Sequence, residues 1–384
     1  MIYKKEAKME KLKKLLFITD QQEYSETGTI STLFDIYLQK YFEVHIVYLT
    51  NFKEGFSKRD NHYIVPTHER KNIVEYLENH DVNISSFSFL FVRNKKDALE
   101  NVLKYKSKYN YKVVFRISYP KKRHKLSLMN SYSPIEFIKK YFYKKKIKDR
   151  NDLINKCDLF LVASLQVQEV FHQDIYIDTY PIFVGLDPDK LIKHQKTSNE
   201  IKKFIYTGTI DEVREFDVIL DAFLNLKSSN WRLTVSTTDK AFVSKMVNKY
   251  PRLKNNVNII SAMSIKELRE QINTHDIGIA LLPRNDFYDT VVADKVIDYY
   301  TCSIPALMTS NTKNHSIFND DEGLFCDFES SKITKELELL INTSNNTLGI
   351  IGNNGQEKLL KIKRNYKIQA EKLAKKLNEV LQKD

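Results

Sequence analysis

Short apolar runs alternate along this chain with longer amphipathic ones. Lys13 to Asp20 (KKLLFITD), Val44 to Leu49, Ile64-Val65, Phe87 to Val92, Tyr111 to Ile117 and Leu159 to Ala163 have the length and composition of buried strands. Between them, Thr29 to Lys40 sets Ile30, Leu33, Phe34, Tyr37 and Leu38 at helical spacing. Segments near 70–79 and 96–109, and one through Val170, read the same way. Strands and helices alternating at this length predict a parallel, doubly wound sheet. The rhythm pauses at a polar stretch, Ser198 to Lys203, and then restarts. Lys203 to Thr207, Arg232 to Ser236 and Val257 to Ile260 read as strands, with helices near 214–226, 239–250 and 264–273. Gln356 to Gln382 reads as one long helix, with Ile362, Tyr366, Ala370, Leu373, Leu377 and Val380 on a single apolar stripe.

The second half is organised around His275 to Thr309: a buried strand, a polar loop, a helix and a second buried strand from Ile304 to Met308. Lys295, Asp298 and Tyr299 stand at i, i+3 and i+4 and are expected to share one helix face. In an open α/β sheet, ligands sit beyond the carboxyl ends of the strands, where helix N-termini collect. A cation, an acid and a phenol there can meet a phosphate, a ribose and a ring. A solvated ion pair on a surface helix is the plain alternative. Residues 206–223 (YTGTIDEVREFDVILDAF) put Gly208 at a strand end and Arg214 at the start of the next helix. That turn has room for a diphosphate against backbone N–H groups. In the first half, Gly28 closes the loop after the first strand, either as a turn residue or as a ligand contact.

A length of 384 residues exceeds one ordinary core, so two domains are expected. No apolar run is long enough to cross a membrane, and MIYKKEAKMEKLKK lacks the apolar centre of a signal peptide. Cys157, Cys302 and Cys326 are scattered, which fits free thiols in a reducing cytoplasm and implies no zinc site. A formal net charge of +12 points to an anionic partner. Much of that charge lies in residues 119–150, where lysines interleave with Ile135, Phe137, Ile138, Tyr141, Phe142 and Tyr143. Such a segment is either a helix packed by its aromatic stripe or a peripheral docking surface for an anionic membrane or an acidic, lipid-linked acceptor. No nucleic-acid recognition motif accompanies the charge, so no nucleic-acid partner is expected.

On these motifs the chain resembles, over nearly its whole length, the glycosyltransferase family 4 type of GT-B sugar transferase. That family opens its second domain with strand–G–R–x–x–x–x–K–G and a helix ending in an E-A-F-like tail. Gly208 and Asp221-Ala222-Phe223 match, and Arg214 stands at the lysine. Thr209 replaces the first basic residue and Glu215 the second glycine. Further on, the family has two acids, a tyrosine or methionine segment and G-x-P. Asp298 matches the second acid, while Thr290 stands at the first with Asp289 beside it. The form P-x-K-L-x-E-Y-x-x-x-x-x-P fits DKVIDYYTCSIP through Lys295, Asp298, Tyr299 and Pro305. VGLDPDKL is similar to the family's hinge signature, and DLFLVAS to its D-x-I-x-x-x-S strand.

The resemblance implies an α/β, GT-B architecture of two doubly wound, Rossmann-like domains facing a cleft. Residues 1–185 would form the acceptor domain and 186–355 the donor domain, with a helix over 356–384 packed on a domain surface. It implies retaining transfer of a hexosyl or related sugar from a nucleotide-sugar donor to a glycan or lipid-linked acceptor, in cell-surface polysaccharide or glycoconjugate synthesis. Asp298 would hold the ribose, and Gly208, Thr209, Asp289, Thr290 and Tyr299 would line the donor. Arg214 and Lys295 would stabilise the charge that develops on the leaving diphosphate. No D-x-D motif in a suitable context stands out, so these cations, rather than a divalent ion or another cofactor, are expected to do that work. Gly28, Arg116 and Tyr119 are the sugar- or acceptor-side candidates, beside Ser118. The implied location is cytoplasmic, peripheral on the inner face of the membrane. Two alternatives stay open: an epimerase of the same fold, with acid/base groups across the cleft, and a non-catalytic basic protein that binds sugar or nucleic acid.

Overall fold

A computed structural model describes residues 12–25, 28–118, 120, 123, 126, 134–194 and 200–383. Tyr119, most of the basic stretch before 134, the N-terminal stretch through Lys11 and the start of the polar linker at Ser198 lie outside the described residues. The chain divides into two units, one of residues 1–182 with 367–384 and one of residues 183–366.

The first unit is built on an eight-stranded sheet: β1 (Lys14–Thr19), β2 (Glu43–Thr50), β3 (Ser57–Arg59), β4 (His62–Pro66), β5 (Phe87–Arg93), β6 (Lys112–Arg116), β7 (Leu159–Val162) and β8 (Thr179–Pro181). Their order is β3-β4-β2-β1-β5-β6-β7-β8, parallel except for the β3–β4 pair. Leu15, Leu16, Phe17, Phe89, Leu90 and Phe91 are fully buried, as strands covered on both faces must be. After β1, Thr29–Tyr37 is wound as a π-helix and Leu38–Lys40 as a 3-10 turn, where the spacing predicts one regular helix. Helix α1 (Pro134–Ile154) leads into β7.

In the second unit, strands β9 (Lys202–Thr207), β10 (Trp231–Thr237), β11 (Val257–Ser261), β12 (Ile277–Ala280), β13 (Ala306–Thr309) and β14 (Leu324–Cys326) are all parallel, in the order β11-β10-β9-β12-β13-β14. Alternate residues feed two cores. Phe204, Tyr206, Leu233 and Ile279 join Phe216 and Phe223 of α2 (Phe216–Leu224). Ile205, Ala280 and Met308 join Val296, Tyr299 and Tyr300 of a helix in the following motif. Helix α3 (Ile265–Ile272) starts with a capping box from Ser264 and Glu267.

Two expected helices are interrupted. The 214–226 helix starts only at Phe216, because Glu212–Arg214 form a separate 3-10 turn and Glu215 turns left-handed (φ 46, ψ 48). The long C-terminal helix breaks into two, Asn345–Lys361 and Tyr366–Gln382. The break has a tertiary cause. Leu186 N donates to Arg364 O at 2.7 Å and Tyr366 N to Leu186 O at 3.1 Å. The buried Arg364 guanidinium donates to Val184 O at 2.9 Å. Beyond it the final helix joins the first unit, where Lys376 pairs with Asp178 at 2.7 Å.

Candidate functional site

Both sheets reverse their strand order, between β1 and β5 in the first unit and between β9 and β12 in the second. Such switch points open a crevice beyond the strand ends. At the second one, β9 ends in Thr207 and Gly208 takes φ 108, a conformation L side chains rarely adopt. Gly208 N donates to Ser236 O at 2.9 Å, which anchors the turn to β10. Asp211 then caps the 3-10 turn by accepting from Arg214 N at 3.1 Å, and its carboxylate also pairs with the Arg214 guanidinium. Burial works against that guanidinium's charge, yet Tyr288, once ionised at high pH, and Asp211 hold it above the ordinary arginine range.

Helix α4 (Asp294–Thr301) brings Lys295 to the same place from its first turn. The Lys295 Cε lies 3.9 Å from where a Cβ on Gly208 would sit, and Nζ rests 3.3 Å from the centroid of the Tyr206 ring. Nζ is shut off from solvent and has no hydrogen-bond partner among the described residues. Burial, and then the charge of Arg214, hold its amine well below the ordinary lysine range, with Asp294 opposing. A buried donor of this kind is costly unless something fills the place it faces.

Asp298, one turn on, lies 3.7 Å from the Arg269 guanidinium of α3 and keeps about a quarter of its side chain exposed. Burial pushes its carboxyl up to about 6; Arg269 opposes the shift and Asp294 adds to it. The shared face does not extend to Tyr299, whose burial rules out the expected contact with a donor. Tyr299 is fully buried, and its hydroxyl meets Thr207 N at 3.2 Å, Ile205 O at 3.2 Å and Ile279 O at 3.1 Å. It ties the ends of β9 and β12 from beneath. Its ring occupies the space a side chain on Gly278 would need, so that strand position must be glycine.

Thr209 is exposed beside Gly208. Thr290 is nearly buried, and its hydroxyl donates to Phe287 O at 2.8 Å within its own turn, so its expected place along the donor is not supported. Asp289 is held by Arg284 at 2.8 and 2.9 Å. Gly208, Thr209, Arg214 and Lys295 thus converge, Asp298 flanks them, and Asp289 and Thr290 serve their own loop.

In the first unit, Gly28 stands at the start of the π-helix with open space, among the described residues, where a Cβ would sit, while Arg116 is buried with its guanidinium 5.6 Å over the Phe34 ring. At the β1–β5 switch point the structure assembles a network of which only Ser118 stood out in the sequence. Arg93 donates to Asp20 Oδ1 at 2.7 Å and to Ser118 Oγ at 2.7 Å. Asn94 donates to Asp20 Oδ1 at 3.1 Å and accepts from Ser118 N at 3.1 Å. The available signal was position: each of these residues follows an apolar strand run directly.

No family model matches the chain, and no curated protein matches it in sequence. Solved structures do match. Sucrose-phosphate synthase from Thermosynechococcus elongatus superposes with a TM-score of 0.74 at 10% identity, covering 97% of this chain and 100% of that one. The HepE protein of Anabaena, in complex with UDP and glucose, gives 0.66 at 13% identity, covering 96% and 100%. The lipopolysaccharide outer core galactosyltransferase WaaB gives 0.62 at 10% identity, covering 95% and 99%. At such identities the likeness concerns architecture, and over almost its whole length this chain has the α/β, GT-B fold of glycosyltransferases.

Proposed function

We propose that this protein is a glycosyltransferase of the family 4 type, moving a sugar from a nucleotide-sugar donor to a glycan or lipid-linked acceptor. The observation that carries this reading is the buried Lys295 amine, without a hydrogen-bond partner among the described residues, beside Gly208 and Arg214 at the switch point of the second sheet. A diphosphate there would receive backbone N–H groups, a guanidinium and an ammonium together. When the bond to the sugar's anomeric carbon breaks, charge grows on the leaving diphosphate, and Arg214 and Lys295 are placed to stabilise it. Asp298 would accept from the ribose hydroxyls. That the structural neighbour HepE was crystallised with UDP and glucose is consistent with this reading. We further infer retention of configuration and no requirement for a divalent ion. Calorimetry with a panel of nucleoside diphosphates, followed by product analysis with a donor panel, tests the proposal. Expected is tight binding of one nucleotide and transfer that survives chelation, with the anomeric configuration kept by NMR. Activity lost in chelator and restored by manganese would refute the metal-independent part, and binding without any product would leave a sugar-binding protein.

The proposed acceptor side includes contact with an anionic membrane through α1. Ile135, Phe137, Ile138, Tyr141 and Phe142 are 65%, 70%, 56%, 63% and 54% exposed, unusual for five large apolar side chains on two turns. At about 100° per residue they fill an arc of about 160°, and the buried Ile147, Arg150, Asn151 and Ile154 fill a separate arc of about 100°. The apolar arc therefore points away from the face that packs on the unit. Lys144, Lys145, Lys146 and Lys148 follow directly along the helix, a basic collar behind an apolar tip. Among the described residues no helix is long and apolar enough to cross a membrane, so contact of this kind would be peripheral.

A further inference from the structure

We propose that Lys295 is largely uncharged while its site is empty and takes up a proton as a diphosphate enters, so that donor binding and proton uptake are one event. The inference rests on the donor-site reading above and adds a property that reading does not contain. Its basis is geometric. The Lys295 Nζ is closed off from water, makes no hydrogen bond among the described residues, and lies against the face of a buried tyrosine. The charged and titratable groups around it are few. Tyr206 on β9 and Tyr288 in its short turn are neutral at physiological pH, and Arg214 in the preceding turn is a cation whose own charge is engaged by Asp211. On the same helix Asp294 also feels the buried Arg364, while Asp298 faces Arg269.

An ammonium here would have only the Tyr206 ring face and part of the Asp294 charge in its favour, set against repulsion from Arg214 and the loss of its hydration. The neutral amine avoids both costs. A diphosphate between Gly208, Arg214 and Lys295 reverses that balance, because it brings negative charge and acceptor oxygens to a donor that had none. The Lys295 Nζ lone pair then takes a proton from the buffer, and the new N–H donates to a phosphate oxygen. No bond in the donor breaks in this step. Arg214 cannot play this role, since a guanidinium stays charged at any working pH.

The test is calorimetric titration with a nucleotide sugar, whose diphosphate does not titrate near neutrality, at about pH 8 in buffers of different ionisation heat. Expected is an uptake of close to one proton per donor bound by the wild type, with affinity falling by up to about tenfold per pH unit on the alkaline side. Lys295→Arg, whose charge is permanent, should bind more weakly and without proton uptake. Binding heats that do not depend on the buffer, with affinity intact, would overturn the coupling and leave the donor site standing. Unchanged uptake in Lys295→Arg would assign the proton to another group and overturn it as well. A wild type that binds no nucleotide sugar at all would remove the donor-site reading together with this one.

Discussion

Asp298 carries two opposite demands in one side chain. Its carboxylate is the form that could accept from a ribose, yet burial and Asp294 favour the protonated form, and Arg269 at 3.7 Å offsets them only in part. With its carboxyl raised to about 6 from an ordinary value near 4, the folded state holds a proton that the unfolded chain has released. The stabilisation from that proton is complete below the unfolded value and is lost as pH rises through about 6. Asp298→Asn, which mimics the protonated form, should therefore be more stable than wild type above that point by about 1–2 kcal/mol, with the difference vanishing near pH 4. Melting temperatures across this range check it, and a gap that persists at low pH would show a different cause. Asp298→Ala should weaken nucleotide binding on the order of thirtyfold or more, as expected for losing a buried charged hydrogen bond. Unchanged affinity would remove Asp298 from the site.

Among the elements, the turn from β9 into α2 stores a small strain. The resembled motif has glycine after its lysine; here that position is Glu215, and the backbone still goes left-handed, with φ 46. Ser303, two residues before Pro305 where G-x-P would have glycine, does the same with φ 56. A left-handed residue with a Cβ costs roughly 1–2 kcal/mol, part of which glycine returns as extra freedom in the unfolded chain. Glu215→Gly should thus raise stability by about 0.5–1 kcal/mol and leave nucleotide binding intact, since the Glu215 side chain is exposed and the turn keeps its path. A drop in melting temperature would mean that the Glu215 side chain contributes more than its backbone strain costs.

For the molecule as a whole, the consequential surface is α1. Each basic residue near an anionic bilayer adds about 1 kcal/mol, so under the proposed membrane contact the four lysines from 144 to 148 together with the apolar tip would suffice for reversible attachment. The protein should co-sediment with anionic but not neutral vesicles at low salt. Binding should fall in high salt and in a variant with Lys144, Lys145 and Lys146 changed to Glu, while the melting temperature stays within a few degrees, because these side chains are exposed. A separate variant with Phe137 and Phe142 changed to Ser should lose the salt-resistant part of binding. If the wild type ignores anionic vesicles, α1 is not a membrane contact and its exposed apolar arc serves another contact.

Local patterning by itself determined the succession of strands and helices. A buried parallel strand needs an uninterrupted apolar run, and its covering helix needs a stripe, so both leave marks within a few residues of themselves. For the same reason the placement of Gly208, Arg214 and Lys295 near strand ends could be read from the chain alone: each is fixed by its distance from such a run. Tertiary structure decided what each neighbour on the Lys295 helix does. Three positions at i, i+3 and i+4 span about a quarter of a helix circumference, and the sheet beneath turned Tyr299 inward under β9 and β12 while Asp298 met Arg269 of α3. It also decided the Asp20–Arg93–Asn94–Ser118 network, which depends on β1 and β5 lying side by side, and the break before Tyr366, which depends on Leu186 pairing with a distant backbone. Contacts of that kind join residues far apart in sequence, and no local pattern records the partner.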